Sequence, residues 1–447
     1  MFVVWRVISP CHSIVFIMKC SNYNIIQEKG DFSYWYNCLT RHYFRLPLSL
    51  GRKVYECLQK QMYDHLPIIL KEKLTEGGFI IPDDFDELRF IRRKNDEAIE
   101  SKNYFLIILP TLNCNYRCWY CIQEHVVSKM DNDTLEKIKS HIDYMIDQEH
   151  ISSLHIDWFG GEPLMYFKEI VVPISEHAKE KCRHAGIDFL NSSTTNGFFL
   201  NPTNIRECLR LGFKQFQITL DGNREHHDTV KFSNGCDSTF NHVLTNINNL
   251  LSQSSDVIMY LRINYTKDNL TEEIVDQVKQ YINPINRSKI VVTPRKVWQE
   301  NVDRNFNAHI IKILDKFREA GFLVEYCNFI SSYLPCYANK KYYNAINFNG
   351  NVVKCTACND LYESNARGVL LNDGKIAWNN EFDKKYLQKS FENDKCLSCN
   401  KLPLCMGLCP REHFNGETYC KEKAISSSFE NSIITLIDRS YEIEALK

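Results

Sequence analysis

The cysteines of this chain occur in two dense groups, and this distribution restricts the fold more than any other feature. Nineteen of the 447 residues are cysteine. Three of them, Cys114, Cys118 and Cys121, lie close together, and nine more lie between residues 327 and 420. Because disulfides are rare in the cytosol, cysteine-rich segments there indicate metal or catalytic sites. The other seven cysteines are scattered, and we expect them to be small buried hydrophobic residues.

The remaining composition is that of an ordinary globular chain, with 44% hydrophobic residues, 24% charged residues and a net charge of -1. A near-zero charge argues against nucleic-acid binding, which uses a basic face. No secretory signal is evident. Residues 1–17 carry Arg6, Pro10 and His12, so they do not supply the ~20 apolar residues of a membrane span. We therefore expect a cytoplasmic protein without membrane contact, with Met18 as a candidate true start and residues 1–17 as an artefact.

Strand and helix patterns alternate from residue 105 to about 320. Apolar strand-like runs occupy 104–112, 154–159, 188–195, 213–220, 257–265 and 289–294. Between them lie helical stripes over 135–146, 240–251 and 306–317, the first behind a predicted N-cap near Asp133 and the last ending at Gly321. Six such units predict an α/β fold with a parallel sheet, either open or curled into a partial barrel.

The segments on either side do not continue this alternation of strand and helix patterns. Residues 18–100 contain a predicted hairpin between Tyr23 and Phe44, followed by two short helical patterns within 49–76. After about 325 come short strands, turns and clustered cysteines, a composition that we expect to depend on bound metal for its stability. We therefore predict three domains, over 1–100, 101–325 and 326–447.

The first cysteine group, CNYRCWYC, directly follows the first predicted strand. In parallel α/β folds the carboxyl ends of the strands carry the active site. Thiolates are soft ligands that suit iron–sulfur clusters, zinc or copper(I). Three thiolates on a four-iron cluster would leave one iron open, as catalytic metal sites require. The alternative is a structural Cys3His zinc site closed by His125.

The next four predicted strands also end in polar or glycine-rich strings. The second ends in GGEP (160–163), the third in TTNG (194–197) and the fourth in QITLDG (217–222), whereas the fifth carries Arg262 and Asn264 on one face. Adjacent glycines let a ligand approach the backbone closely. Each string alone is typical of an ordinary turn, so their placement at successive strand ends carries the prediction. We expect the charged run 225–228, which follows, to be solvated.

The cysteine triad together with GGEP resembles the radical S-adenosylmethionine (SAM) enzymes over about residues 105–320. The resemblance implies a partial (β/α)6 TIM-like barrel and a [4Fe–4S] cluster held by the catalytic cysteines Cys114, Cys118 and Cys121. It implies reductive cleavage of SAM at the open iron to a 5′-deoxyadenosyl radical, which abstracts a hydrogen atom from the substrate. The residues it implies for SAM binding are Tyr120, Gly160, Gly161, Glu162, Thr195, Asn196, Arg262 and Asn264.

The second cysteine group is regularly spaced. Thirteen residues separate Cys336 from Gly350 and four more lead to Cys355, after which the pattern C-x2-C-x5-C-x3-C begins at residue 396. Short spacings of this kind indicate one or two tetrathiolate sites, with a pair of structural zinc sites as the alternative. The pattern resembles the SPASM extension of radical SAM enzymes, which implies two auxiliary [4Fe–4S] clusters. It assigns the nearer cluster to Cys336, Cys355 and Cys409, with either Cys327 or Cys358 as the fourth ligand or the fourth position left open for substrate. It assigns the outer cluster to Cys396, Cys399, Cys405 and Cys420.

SPASM enzymes modify peptides and proteins, so the resemblance implies a ribosomally made peptide or protein as substrate and a crosslink or side-chain oxidation as product. It also implies a low-potential electron donor of the flavodoxin or ferredoxin type. The 18–100 segment is then a candidate peptide-binding module that would act by β-strand addition.

Two alternatives to this maturase function remain open. Anaerobic sulfatase-maturating enzymes resemble the chain, but they place a catalytic Asp directly after the cysteine that matches Cys355. This chain has Thr356 there, and its nearest acid is Asp360. The other alternative is a non-catalytic, zinc-stabilised binding protein.

Overall fold

A computed structural model describes residues 17–300, 306–326, 335–357, 367–379, 390–410 and 421–445 of the chain. They divide into two compact units. We call one the large unit, which takes residues 100–325 and 340–387, and the other the small unit, which takes 1–99, 326–339 and 388–447. The small unit is therefore assembled from segments that are far apart in sequence. The three predicted domains stay a prediction.

The strands follow the chain in this order: β1 (Met18–Cys20), β2 (Asn24–Lys29), β3 (Phe32–Asn37), β4 (Tyr43–Pro47), β5 (Ile80–Pro82), β6 (Asn103–Ile108), β7 (Ser153–Trp158), β8 (Asp188–Thr195), β9 (Phe213–Asp221), β10 (Ile258–Tyr265), β11 (Ile290–Lys296), β12 (Leu323–Val324), β13 (Tyr343–Ile346), β14 (Asn351–Val353), β15 (Gly368–Leu370) and β16 (Ile376–Trp378).

The α-helices are α1 (Leu48–Gln59), α2 (Ile68–Glu76), α3 (Glu87–Glu100), α4 (Asn132–Asp147), α5 (Val172–Ala185), α6 (Pro202–Arg210), α7 (Arg224–Val230), α8 (Thr239–Gln253), α9 (Glu273–Lys279), α10 (Pro284–Arg287), α11 (Phe306–Glu319), α12 (Asp394–Leu397), α13 (Leu402–Cys405) and α14 (Lys421–Ala445). Shorter helical turns occupy Tyr63–His65, Pro163–Tyr166, Phe167–Val171 and Tyr337–Asn339. No helix in the described part of the chain is both long and apolar enough to cross a bilayer.

The large unit is built on one eleven-stranded sheet, in the order β12-β11-β10-β9-β8-β7-β6-β13-β14-β15-β16. Neighbours from β12 to β13 run parallel, and those from β13 to β16 run antiparallel. The six predicted strands are β6 to β11, each beside the next because helical crossovers connect parallel neighbours. The sheet stays open within the described residues, which confirms the predicted α/β fold with a partial rather than a closed barrel.

The predicted helical stripes of the large unit lie on the buried faces of α4, α8 and α11. In α4 the side chains of Ile138 and Ile142 are fully buried. The helix begins after Asp131, whose side chain accepts a hydrogen bond from the Thr134 N–H, two residues before the predicted cap at Asp133. These helices cover the parallel strands, as a sheet buried on both faces requires.

The small unit contains the predicted hairpin, extended by a third strand into the antiparallel order β2-β3-β4. Trp35 and Tyr36 of the central strand are fully buried. The C-terminal helix α14 packs on this sheet, where Asp438 accepts hydrogen bonds from the Tyr34 hydroxyl at 2.9 Å and the Arg45 guanidinium at 2.7 Å. Sequence-distant segments thus share one core.

Candidate active site

The carboxyl ends of the parallel strands surround a cavity of about 380 Å³ in the large unit. Ten of the eleven side chains or backbone segments predicted to form the site line this cavity. They come from the loop after β6, the turn after β7, the end of β8 and the strand β10, which the sheet brings to a common edge. The ten are Cys114, Cys118, Tyr120, Cys121, Gly160, Gly161, Thr195, Asn196, Arg262 and Asn264.

The three cysteines of the triad lie on a loop that is closed at its base. Thr111 donates a hydrogen bond from its hydroxyl to the Ser128 carbonyl at 2.6 Å, and Ser128 Oγ accepts one from the Leu112 N–H at 2.9 Å. Within the loop, the Cys121 N–H donates to the Cys118 carbonyl at 3.0 Å. Residues 112 to 128 therefore form one compact lobe that holds the thiols at the end of β6.

Cys114 and Cys118 of the triad are partly buried, and Cys121 is the most exposed of the three. Burial and the nearby Glu162 carboxylate raise the pKa of Cys114 to about 12. Burial also raises the pKa of Cys118 and of Cys121, although the Lys231 ammonium opposes this rise at both thiols. All three groups are therefore neutral thiols near pH 7 in the absence of metal, and metal binding would release their protons.

The GGEP turn packs directly on the base of the cysteine loop. Gly161 donates its N–H to the Thr111 carbonyl at 3.0 Å, and Glu162 donates its N–H to the Asn113 carbonyl at 2.9 Å. Gly160 has a φ of 131°, which L side chains rarely adopt. A Cβ on Gly161 would lie 2.1 Å from the Asn113 carbonyl oxygen. Both glycines are therefore required for the close approach of the two backbones.

Glu162 is the predicted site residue that does not line the cavity, because its side chain is fully buried behind the turn. Its carboxylate accepts hydrogen bonds from the Thr195 hydroxyl at 2.7 Å, the Asn196 N–H at 2.8 Å and the Leu164 N–H at 3.0 Å. Burial raises its pKa to about 7, although these hydrogen bonds act to lower it. Glu162 thus joins the loops that follow β7 and β8.

The strongest feature that the sequence did not predict is a buried polar chain across the cavity wall. Tyr120 donates its hydroxyl to Asp221 Oδ1 at 2.5 Å, and Asp221 Oδ2 lies 3.3 Å from the Lys231 ammonium. The Asp221 and Lys231 side chains are 1% and 4% exposed. Lys231 also donates to the Thr219 carbonyl at 2.6 Å. The only sequence signal for this row of polar contacts was the position of Asp221 at the end of the fourth predicted strand.

The charged run after Asp221 differs from its prediction. Residues 225–228 lie in α7, and His227 is fully buried rather than solvated. Its Nδ1 atom accepts a hydrogen bond from the Asp221 N–H at 3.1 Å, and burial lowers its pKa well below the ordinary value. His227 therefore supports the strand end as a neutral ring.

A second cation faces the cavity from β10. Arg262 donates from Nε to Asn264 Oδ1 at 2.8 Å, so the two predicted residues contact each other along one face of the strand. Burial lowers the pKa of Arg262, and the neighbouring Arg295 adds to this effect. The ordinary pKa of an arginine guanidinium lies so high that Arg262 remains charged at any physiological pH.

Residues 108–278 match the family model described as the radical SAM superfamily. The chain contains a radical SAM domain. Over 410 residues it is 25% identical to the radical SAM cyclopropyl synthase TigE of Paramaledivibacter caminithermalis, with 82% of each protein covered. Over 390 residues it is 22% identical to a cysteine-type anaerobic sulfatase-maturating enzyme of Clostridium novyi, covering 75% of this chain and 96% of the relative.

The fold is also similar to that of a solved structure. The structure of native anSMEcpe with bound AdoMet and Cp18Cys peptide superposes with a TM-score of 0.54 at 18% identity. The match covers 76% of this chain and 99% of anSMEcpe. At this identity the similarity shows the fold, which is the partial barrel described above.

A radical SAM domain uses a [4Fe–4S] cluster and SAM, and the cavity fits both in its chemistry. Three thiols of a soft donor set share its wall with three cations, Lys231, Arg262 and Lys296. The Nε2 atom of Gln123, also in the wall, is buried and has no hydrogen-bond partner among the residues that the structure describes. Such an orphaned donor suits a bound polar ligand.

The zinc alternative requires a different arrangement of the same residues. His125 lines the cavity with the triad, and burial lowers its pKa. Within the described ranges, however, no three His, Cys, Asp or Glu side chains are grouped closely enough to hold a single metal ion. The structure therefore does not bring the triad and His125 to the spacing of ligands around one zinc ion.

The cysteines of the second group fall in both units. Cys355 belongs to the large unit and is nearly buried. Cys336 and Cys409 belong to the small unit. So do Cys396, Cys399 and Cys405, which lie on or beside the short helices α12 and α13. The candidate ligands Cys327, Cys358 and Cys420, and also Asp360, lie outside the described residues.

Proposed function

We propose that this enzyme modifies a ribosomally made peptide or protein, by forming a crosslink or oxidising a side chain. The observation that carries the proposal is the single cavity in which the cysteine triad meets the polar ends of four further strands. Relatives that match most of the chain support it, since they include a cyclopropyl synthase and a sulfatase-maturating enzyme. The solved relative was determined with a bound peptide.

In this proposal Cys114, Cys118 and Cys121 hold the cluster as thiolates. When bound, the cluster and SAM supply a 5′-deoxyadenosyl radical that abstracts a hydrogen atom from the substrate. The chain contributes the charge balance: Lys231 and Arg262 offset the thiolates and would attract the carboxylate of SAM. The backbone of Gly160 and Gly161 leaves room for a close polar contact with the ligand.

The remaining predicted site residues orient these groups. Glu162 fixes the Thr195–Asn196 turn through two hydrogen bonds, and Asn196 lines the cavity. Tyr120 is held by Asp221. Because these groups are preorganised and mostly shielded from solvent, they can exclude water from a reactive intermediate.

We propose that the second cysteine group binds two auxiliary [4Fe–4S] clusters, in a SPASM domain over residues 326–447 that follows a radical SAM core over 101–325. The support is the spacing of its thiols. In the small unit, Cys396 lies in α12, and its N–H donates a hydrogen bond to Asn393 Oδ1 at 3.0 Å. Cys399 follows one turn later and Cys405 ends α13. The electron donor would be a low-potential flavodoxin or ferredoxin, and the location cytoplasmic.

We propose that the segment over residues 1–100 includes a peptide-binding surface at the outer edge of β2. This strand borders a cavity of about 450 Å³ in the small unit, whereas at the other edge of the sheet the Tyr441 hydroxyl accepts a hydrogen bond from the Arg45 N–H. The Cys38 N–H donates to the Tyr23 carbonyl. By antiparallel alternation, the backbone N–H of Ile26 then points away from β3, where an added strand would bond.

The β2 edge can be tested in the full chain. Ile26→Pro removes the outward N–H without removing a ladder bond, and Ile26→Val keeps it. We expect Ile26→Pro to weaken binding of a labelled peptide encoded beside this gene at least tenfold, while Ile26→Val binds like wild type. Equal binding by both variants would contradict peptide addition at β2.

Sulfatase maturation is the less favoured alternative. Thr356, the residue directly after Cys355, lines the cavity wall. A threonine hydroxyl is a poor general base compared with a carboxylate. The described residues thus place no acid at the position where the sulfatase-maturating enzymes have theirs. The zinc-stabilised binding protein is also less favoured, since residues 108–278 match the radical SAM superfamily.

The proposed function is tested by anaerobic reconstitution with dithionite, SAM and the candidate peptide. We expect 5′-deoxyadenosine together with a mass change in the peptide. Cys118→Ala should lose both, whereas Cys208→Ala, which alters a fully buried cysteine of α6, should keep both. Production of 5′-deoxyadenosine with unchanged peptides, and with a sulfatase-motif peptide oxidised instead, would replace this proposal with the alternative.

A further inference from the structure

The buried pair of Lys231 and Asp221 is unusual enough to require a reason. An ion pair with side chains 4% and 1% exposed loses most of its hydration, and such pairs rarely add net stability. Here the pair lies beside a cavity rather than inside a hydrophobic core, and Lys231 itself lines that cavity. Its two members come from the end of β9 and the end of α7, so the fold holds both rigidly.

The pair reaches the cysteine triad through two routes. Lys231 and Cys118 line the same cavity. Asp221 accepts a hydrogen bond from the Tyr120 hydroxyl at 2.5 Å, and Tyr120 directly precedes Cys121 in the lobe. The pair is therefore linked to the triad both across the cavity and through the Tyr120 hydrogen bond.

We propose that Lys231 and Asp221 form a charge pair that sets the reduction potential of the cluster held by Cys114, Cys118 and Cys121. Tyr120, which belongs to the cysteine loop, connects that loop to the pair. The inference rests on the proposed function, because it assumes that the triad binds a cluster. Asp221 is a positioning residue, since it acts through Lys231 and Tyr120, whereas Lys231 also lines the cavity itself.

The sign of each contribution follows from electrostatics. Reduction adds one negative charge to the cluster, and a nearby cation stabilises the reduced form whereas an anion destabilises it. In a shielded site these interactions are far stronger than in water. Removing the ammonium therefore lowers the potential and removing the carboxylate raises it. Removing both leaves a neutral pair with a smaller net effect.

The test is a redox titration followed by electron paramagnetic resonance on four anaerobically reconstituted proteins: wild type, Lys231→Met, Asp221→Asn and the double variant. The signal that changes when SAM is added identifies the cluster of the triad. We expect the midpoint potential to shift to more negative values in Lys231→Met and to more positive values in Asp221→Asn. The double variant should lie between them and closest to wild type.

Lys289→Met is the matched control, because this partly buried lysine lies just before β11, at the opposite end of the strands. It should leave the potential unchanged. Shifts of the same sign in both single variants, or no shift in a cluster-loaded protein, would overturn the charge-pair proposal. If a single variant loses its cluster, the double variant should regain it, and an empty double variant would also overturn the proposal. A wild type that binds no cluster would instead reject the proposed function itself.

Discussion

At the scale of single residues, the site depends on two backbones that approach more closely than side chains allow. The Gly161 N–H bonds to the Thr111 carbonyl, and a Cβ at Gly161 would meet the Asn113 carbonyl oxygen at 2.1 Å. The sequence predicted close backbone approach at this turn but assigned it to a ligand. The structure shows that the first partner of the turn is the base of the cysteine loop.

Gly161→Ala should therefore damage the site through the cysteine loop. The backbone of residues 111–113 must shift to admit the methyl group, and overpacking of this kind costs about 1–3 kcal/mol. We expect iron incorporation at the triad to fall severalfold in reconstituted protein. Gly186→Ala is the control, because its Cβ would meet nothing within 4 Å and only its φ of 68° is strained. Equal iron contents in the two variants would contradict this role of Gly161.

The residue scale also shows what sequence can and cannot predict about a site. The triad and the strand-end residues were predictable, because strand periodicity places successive loops at one edge of the sheet. The pairing of Asp221 with Lys231 was not, because nine residues that include a helix separate them and a lysine near a charged run usually faces solvent. Contacts of this kind depend on how α7 turns back towards β9.

At the scale of elements, the parallel strands β6 to β11 were predicted by apolar runs, whereas the extension of the sheet through β13 to β16 was not. These later strands have three or four residues each, which is too short for a periodic pattern. They join the sheet because β13 pairs beside β6. The hairpin that follows is held by His141 of α4, whose Nδ1–H donates to the Gly374 carbonyl at 2.5 Å.

His141 makes this junction sensitive to acid. Its Nε2 accepts the Tyr104 hydroxyl at 2.6 Å, and burial lowers its pKa to about 4. The unfolded chain binds a proton near pH 6.5 and the folded chain only near pH 4. The neutral His141 ring therefore contributes its full stabilisation of the folded state above pH 6.5 and loses it as the pH falls towards 4. Between pH 7 and pH 5 the free energy of unfolding falls by about 2 kcal/mol.

Urea unfolding at pH 7 and pH 5 checks this prediction. Wild type should lose stability between the two values, and His141→Gln should lose about 2 kcal/mol less. His184→Gln, at an exposed position of α5, should behave like wild type. If His141→Gln showed the same pH dependence as wild type, the neutral buried ring would not be the cause.

At the scale of the whole molecule, sequence order and compact units do not coincide. The N-terminal sheet shares a hydrophobic core with Cys396 of α12 and with Ile433 and Ile437 of α14. The sequence showed a hairpin and a cysteine-rich tail but gave no sign that they belong together, since long-range association leaves no local pattern. The predicted cut near residue 100 would separate the sheet from part of its core.

Asp438 tests whether the two ends of the chain form one cooperative unit. Asp438→Ala removes the partner of both Tyr34 and Arg45, and we expect a loss of about 1–2 kcal/mol. Hydrogen exchange in β2 to β4 should then become faster while β6 to β11 remain protected. Asp373→Ala removes an exposed ion pair with Lys375 and serves as the control. Unchanged exchange in β2 to β4 would contradict the shared unit.

The most direct test of the whole account is an iron count on anaerobically reconstituted wild type and on the Cys114→Ala, Cys118→Ala, Cys121→Ala triple variant, each with and without SAM. We predict about twelve irons per wild-type chain, about eight in the triple variant, and a cluster spectrum that responds to SAM only in wild type. Equal iron in both proteins, or a wild-type spectrum that ignores SAM, would contradict an open iron held by the triad.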